Sequence, residues 1–568
     1  MSAGENRLEE ERAQLVAAHQ EGLSSVLKTY VRLSGPGWLQ SAITLGGGSL
    51  AGALFLGILG GTSLLWLQLV AIVMGVIMLS AISYVTLSTG ERPFRSINQH
   101  INPALGWGWI IATILANMIF CMPQFSLCFT ALQRNLIPGV IDDSQNGKIL
   151  MSTILLVAAG VAVMMNSRQG RSAKLFDMLL KALVGIVVIC FAGVVGLMAV
   201  KGQLNWDAIF KGFIPDLSQW SRPTGDLAAL IATLPSEVQG FWTNKVVESQ
   251  RAVMIGAAAT AVGINMTFLM PYSMLRRGWD QNFRGLARFD LSTGMAIPYI
   301  VVTSCVVIAA ASQFHAQADP EFLSSDPTTV MSSSLFKGAA KAVQDRPGFL
   351  ETSSAPSETD VAAAMAQLST EERLVASSVV QRDAFELSKA LAPLLGEKVA
   401  QVAFGLGVFG MGFSTIIILM LINGFAFCEI ADKPMGGPWY VVGSLVAGIS
   451  GASWWYFWQG DSKVYLAIIV SAFAIMLLPI AYTTFFMMMN SRRLLGDAKP
   501  TGLRAVVWNL LMGISVAGAF AAAGTAMMEK ARDPKAGTLV IGLAAAYGVA
   551  VVLGFFRKTD DEATTSAT

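Results

Sequence analysis

The feature that most constrains this chain is a repeated one: stretch after stretch of about 20 apolar residues, each long enough to cross the hydrocarbon core of a bilayer as a helix. They fall roughly at 36–59, 62–89, 107–132, 149–166, 175–200, 252–274, 290–314, 398–427, 438–457, 464–489, 503–527 and 538–556. Only 13% of the 568 residues are charged, against about 25% in an ordinary soluble domain. The expected fold class is therefore an all-α polytopic membrane protein with about 12 transmembrane helices, because helices satisfy their own backbone in lipid. The formal net charge of +2 gives no global support for a nucleic-acid partner. The expected partners are the lipid bilayer and a small ion or small polar solute; the oligomeric state is left open, with a monomer as one option. The five cysteines lie in apolar stretches without the paired spacing of a metal site. His19, His100 and His315 all fall in polar segments. No nucleophile–base pair is visible in the spans, so neither an enzyme nor a cofactor is expected.

Basic residues collect in alternate loops, at Arg92 and Arg95, at Arg276, Arg277, Arg284 and Arg288, and at Arg492, Arg493 and Lys499. By the positive-inside rule both termini are cytoplasmic, in a plasma membrane for which a bacterial inner membrane is the simplest setting. The chain then divides into a cytoplasmic amphipathic segment 1–33, five spans in 34–200, and an extracellular or interfacial segment 201–251. Five more spans occupy 252–500, interrupted by an extracellular cap of one or two helices at 315–397. Two last spans fill 501–556, and 557–568 is a cytoplasmic tail. Lys181 sits four residues after Asp177, the spacing of an ion pair on one helix face.

Two spans carry helix-breaking residues. The first reads SAITLGGGSLAGAL, with Gly46, Gly47 and Gly48 at mid-membrane, each about 1 kcal/mol less favourable in a helix than alanine. The sixth reads GINMTFLMPYSMLRRGW, where Pro271 removes a backbone donor. Interrupted helices at equivalent places in two five-helix halves are the pattern of an inverted-repeat secondary transporter, whose substrate sits at the breaks.

The residues around these breaks resemble the NRAMP (natural resistance-associated macrophage protein) divalent-metal transporters, which share the 5+5 inverted repeat of the amino-acid transporter LeuT. GPGWLQSAITLGGGSLAGALFLGILGGTSLLW is similar to the family's first span. LARFDLSTGMAIPYIVVTS, LAPLLGEKVAQVAFGLGVFGMGFST and LPIAYTTFFMMMNSRRLLG resemble its seventh, eighth and tenth. The resemblance implies unwound helices 1 and 6 and alternating access. It also implies a departure at the site. The family's Asp-Pro-Gly-Asn falls on Gly46, Gly47, Gly48 and Ser49, and its Met-Pro-His on Met270, Pro271 and Tyr272. The backbone carbonyl ligand would come from Thr267. Acidic residues that the family carries on its third span are absent from WIIATILANMIFCMPQFSLCFTALQ.

A divalent cation needs anionic or strongly dipolar ligands in place of its water. With the carboxylate gone, Met270, two hydroxyls and carbonyls remain. A break rich in glycine also exposes N–H donors at the start of the outer half-helix, a setting that favours an anion. The first expectation is accordingly a bicarbonate-like anion or small polar solute. The alternative is a divalent metal cation such as Mn²⁺ or Mg²⁺, with Met270 as ligand, and a third reading is a non-transporting sensor or scaffold. Coupling would use Na⁺, held by hydroxyls such as those of Ser414 and Thr415 on the eighth span, or H⁺.

Overall fold

The structure, a computed structural model, describes residues 3–167, 171–349, 357–457, 476–531 and 537–565. Among these every regular element is helical. Two helices, α1 (Ala3–Glu21) and α2 (Leu23–Leu33), open the chain and part at Gly22, whose φ of 113° only glycine takes without strain. The first span is a bent pair, α3 (Pro36–Thr44) and α4 (Gly47–Gly60), turned by 54°. Then follow α5 (Trp66–Thr89), α6 (Pro103–Ala131), α7 (Gln145–Ser167) and α8 (Arg171–Val200). The start of α6 is dictated locally: Pro103 takes the first helical position and the Asn102 side chain accepts the Ala104 N–H.

The second half runs through α9 (Ser236–Thr260), α10 (Ile264–Arg276) and α11 (Ile297–Phe314), the last preceded by a continuous helical lead-in from Arg284. It continues with α12 (Glu397–Ile430), α13 (Pro438–Ala452) and α14 (Met476–Asn490), and the chain closes with α15 (Gly502–Ala531) and α16 (Gly537–Thr565). α12 is the axle of the bundle, with 83% of its apolar window buried against α6, α8 and α13. Both ends of the chain meet one face. Arg12 pairs with Asp280 at 2.5 Å, and the Val551 carbonyl accepts from Asn102 at 2.8 Å, beside the loops that carry Arg92, Arg95 and Arg277. We call this the terminal face.

Seven described helices are long and apolar enough to cross a membrane, or eight with the bent pair counted as one span. The expected span 252–274 is instead the end of α9 and all of α10, and α9 itself begins within the segment expected to lie outside the bundle. The expected span 438–457 yields a 15-residue helix, and residues 464–475 of the tenth lie outside the described residues. The 315–397 cap holds five short helices where one or two are expected, at Pro327–Ser332, Phe336–Val343, Glu358–Ala366, Thr370–Ser378 and Ala384–Leu395. It is nailed to α9: Glu372 accepts from Trp242 Nε1 at 2.8 Å and from Arg346 Nε at 2.7 Å. Lys181 does not pair with Asp177. Asp177 meets Arg277 at 2.7 Å, and Lys181 donates to the Ser34 carbonyl at 3.1 Å, because the α3 amino end and α10 reach these groups first.

Candidate functional site

The glycine triplet does not unwind as expected. Only Leu45 and Gly46 leave the helix, and α4 restarts at Gly47. None of the three glycines has a positive φ, so conformational freedom is not their purpose. Closeness is. A Cβ on Gly46 would lie 2.8 Å from Thr415 Oγ1, and one on Gly47 would lie 3.0 Å from Leu127 and 3.1 Å from Gln124 Oε1. Gly48 differs, being exposed, with nothing within 4 Å of its missing Cβ.

The second break is displaced from its expected place. It falls at 261–263, where Gly263 is extended at φ −86° and ψ 167° and caps α10. Met270, Pro271 and Tyr272 lie inside α10. A proline there removes one backbone hydrogen bond, which a packed membrane helix tolerates. Thr267 and Met270 are fully buried. The Thr267 hydroxyl accepts from Trp109 Nε1 at 2.9 Å. Tyr272 stacks on Phe268 with ring centroids 4.2 Å apart, and its hydroxyl accepts from the Phe94 N–H at 3.4 Å, toward the terminal face. The methionine that meets the first break is Met266. Thr44 Oγ1 lies 3.6 Å from Met266 Sδ, and Gln40 Nε2 donates to the Met266 carbonyl at 3.0 Å.

The broken first span is braced by its neighbours. Ser414 and Thr415 donate to the Ala42 carbonyl at 2.9 and 3.2 Å. Both hydroxyls also reach the Met411 carbonyl, at 3.3 and 2.8 Å, so in this structure they join α12 to α3. Across the break, Ser49 Oγ donates to the Thr44 carbonyl at 2.6 Å. From α6, Gln124 Oε1 accepts the Gly47 N–H at 3.0 Å. One turn-pair farther along α6, Asn117 donates to Asn423 Oδ1 at 3.2 Å, and Asn423 donates to the Gly443 carbonyl at 3.2 Å.

Buried side-chain atoms without a hydrogen-bond partner occur elsewhere too, among them nitrogens of Arg284, Arg373 and Arg382, but those on the first span are Gln40 Oε1 and Ser41 Oγ, with Asn117 Oδ1 on α6 and Ser304 Oγ on α11. Buried polar atoms normally find a partner. Among the described residues no group of three His, Cys, Asp or Glu side chains converges as a metal cage. The break is thus built from neutral oxygens and one thioether. Gln40, Thr44, Gln124, Asn117, Asn423 and Met266 were not among the residues expected from sequence. An uncharged amide inside an apolar span was the available signal for four of them, since such groups are expensive in lipid unless used.

A helical bundle closed around two facing breaks, with buried polar groups at their junction, defines a multi-pass membrane transporter. The chain belongs to the natural resistance-associated macrophage protein-like family, whose model matches residues 37–343 and 360–527. Among solved structures it is similar to the manganese transporter of Eremococcus coleocola bound to an aromatic bis-isothiourea substituted compound. That likeness has a TM-score of 0.61 at 14% identity, covering 94% of this chain and 96% of the other. A point mutant of the same transporter aligns with a TM-score of 0.53 at 14% identity, covering 93% and 95%. At such identities the likeness is one of fold. No curated protein matches significantly.

Proposed function

We propose that this transporter carries a divalent metal cation by alternating access, through a site made of neutral ligands. One observation supports this reading above the others. The donors at the first break are engaged at Gly47 and Ser49, while Gln40 Oε1 and Ser41 Oγ beside it are buried without partners. The orphaned Gln40 amide oxygen can only accept, which suits a cation and its water and not an anion, and the Ser41 hydroxyl can accept beside it. The nest of N–H groups expected for bicarbonate has already given the Gly47 N–H to Gln124. Family membership points the same way, and the similar solved structures are of a manganese transporter.

The chemistry follows from the ligand set. Carbonyls and hydroxyls are hard oxygen ligands for Mn²⁺ or Mg²⁺, and the Met266 thioether favours the softer ion. Without a carboxylate the protein cannot compensate two charges in a dry cavity. The cation therefore keeps part of its hydration shell, bridged to Gln40 and Ser41, and binds weakly, at about 10⁻⁴–10⁻³ M, the range of cation sites with few charged ligands. Ser414 and Thr415 hold the Ala42 carbonyl. A coupling Na⁺ at that place would have to share this carbonyl and both hydroxyls.

Thermal-shift and calorimetric titrations of the detergent-purified chain test the reading. Mn²⁺ is expected to stabilise the protein with saturation, with and without Na⁺, and bicarbonate to have no effect. Saturable stabilisation by bicarbonate alone would overturn it, and silence with both ions would favour a scaffold.

A further inference from the structure

We infer that Asp290 is a positioning residue of the transport cycle, the clamp that holds the inner half-helix α3 and keeps the terminal face shut. The stretch Ser34-Gly35-Pro36-Gly37 starts α3, and a helix start presents N–H groups that have no partner within the helix. Asp290, on the lead-in to α11, is fully buried and takes them. Its Oδ2 accepts from the Gly35 N–H at 3.0 Å and the Gly37 N–H at 2.7 Å, and its Oδ1 accepts from the Ser34 hydroxyl. Three donors from four consecutive residues converge on one carboxylate.

The backbones are shaped for this grip. A Cβ on Gly37 would lie 2.1 Å from the Asp290 carbonyl oxygen, and one on Gly294 would lie 3.1 Å from Asp290 Oδ1 and 3.2 Å from Trp38. At Gly37 a side chain would collide with backbone, so only glycine lets the two helices touch there, and Gly294 keeps the contact close. From the other side Lys181 donates to the Ser34 carbonyl at 3.1 Å and lies over the Trp38 ring at 5.9 Å. Arg277 sits against Gly35, where a Cβ would come within 2.5 Å of the guanidinium, while paired to Asp177 at 2.7 Å.

A clamp of this kind has two positions. Its bonds all come from one short segment, so they form or break together. A carboxylate stripped of its donors in a dry interior is costly unless it is neutralised, so α3 leaves as water enters from the terminal face, as Arg277 swings from Asp177 to Asp290, or as Asp290 takes up a proton. The clamp therefore couples opening of that face to departure of the half-helix that carries Gln40, Ser41 and Thr44. This rests on the transporter fold and not on the cation reading, since accessibility can be measured without substrate.

The test uses the full chain in membrane vesicles, with Cys121, Cys128, Cys190, Cys305 and Cys428 replaced by Ser or Ala. Two reporters are added separately, Thr44→Cys, buried on α3, and Gly48→Cys, exposed on α4. A membrane-impermeant maleimide is applied to each face. Asp290→Asn is expected to raise labelling of the residue-44 reporter from the terminal face about tenfold or more, because charged hydrogen bonds are lost. Labelling of the residue-48 reporter from the opposite face is expected to fall. Ser34→Ala and Lys181→Met, which leave the carboxylate in place, shift both reporters the same way by less, and carry the test if Asp290→Asn fails to fold. Unchanged labelling in all three variants would overturn the inference. So would a rise at both reporters together, which marks a loosened fold rather than a released clamp.

Discussion

Replacing Gln124 by Glu places a carboxylate at the first break with almost no change of shape. Gln124 is buried, and its Oε1 accepts the Gly47 N–H at 3.0 Å, a bond a carboxylate oxygen makes more strongly. The new charge stands at the amino end of α4, where a helix favours anions by about 0.3–1 kcal/mol. A divalent cation about 8 Å away, at an effective dielectric of about 20, would be attracted by roughly 4 kcal/mol. Desolvation of the buried carboxylate offsets about half of that. A net gain of about 2 kcal/mol remains, roughly thirtyfold in affinity. Calorimetric titration with Mn²⁺ measures it against the parent chain, with Gln124→Leu as the uncharged control. Unchanged or weakened Mn²⁺ binding in a folded Gln124→Glu protein would refute the argument that this break faces a cation.

Three other outcomes are expected. Gly46→Asp, which returns the family's carboxylate to its place, meets Thr415 Oγ1 at 2.8 Å and the Ile43 carbonyl at 3.1 Å. It should cost about 1–3 kcal/mol through overpacking, with Thr415→Ala in the same chain restoring most of the lost melting temperature. Met266→Ala should weaken Mn²⁺ uptake severalfold, whereas Met270→Ala, inside α10, should cost about 2–5 kcal/mol of stability with little effect on Mn²⁺ affinity once folded; equal effects on affinity would return the site to Met270. In the cap, hydrogen bonds from Thr328 and Thr329 hold the Asp326 carboxyl down to about 2. That stabilisation is full above about pH 4 and is lost as pH falls through the lowered value. Hydrogen-exchange protection of the Pro327–Ser332 helix, taken relative to the intrinsic rate at each pH, should fall below pH 4 in the parent chain and lose this pH dependence in Asp326→Asn.

Much of the architecture was legible because lipid imposes it: about 20 apolar residues per span and helices throughout. The first break was legible from Gly46–Gly48, but its extent was not. Glycine count measures helix weakness, and here Gly46 and Gly47 answer to Thr415, Leu127 and Gln124, contacts that only the folded bundle supplies. Pro271 misplaced the second break for the converse reason. A proline loses one hydrogen bond and α10 absorbs the loss, whereas the unremarkable Ala261–Gly263 opens where Gln40 can hold the Met266 carbonyl. The expected pairing of Lys181 with Asp177 failed in the same manner, because i,i+4 spacing is blind to Ser34 and Arg277 arriving from other helices. Spacing along one helix gives what can meet, and tertiary packing decides what does.

The central claim, that a site of neutral oxygens passes a cation, is tested most directly by transport. Purified protein in proteoliposomes is assayed for Mn²⁺ and radiolabelled bicarbonate side by side, with and without a Na⁺ gradient. The account predicts saturable Mn²⁺ entry, increased by Gln124→Glu at low Mn²⁺, and no bicarbonate entry. Bicarbonate entry without Mn²⁺ entry would contradict it.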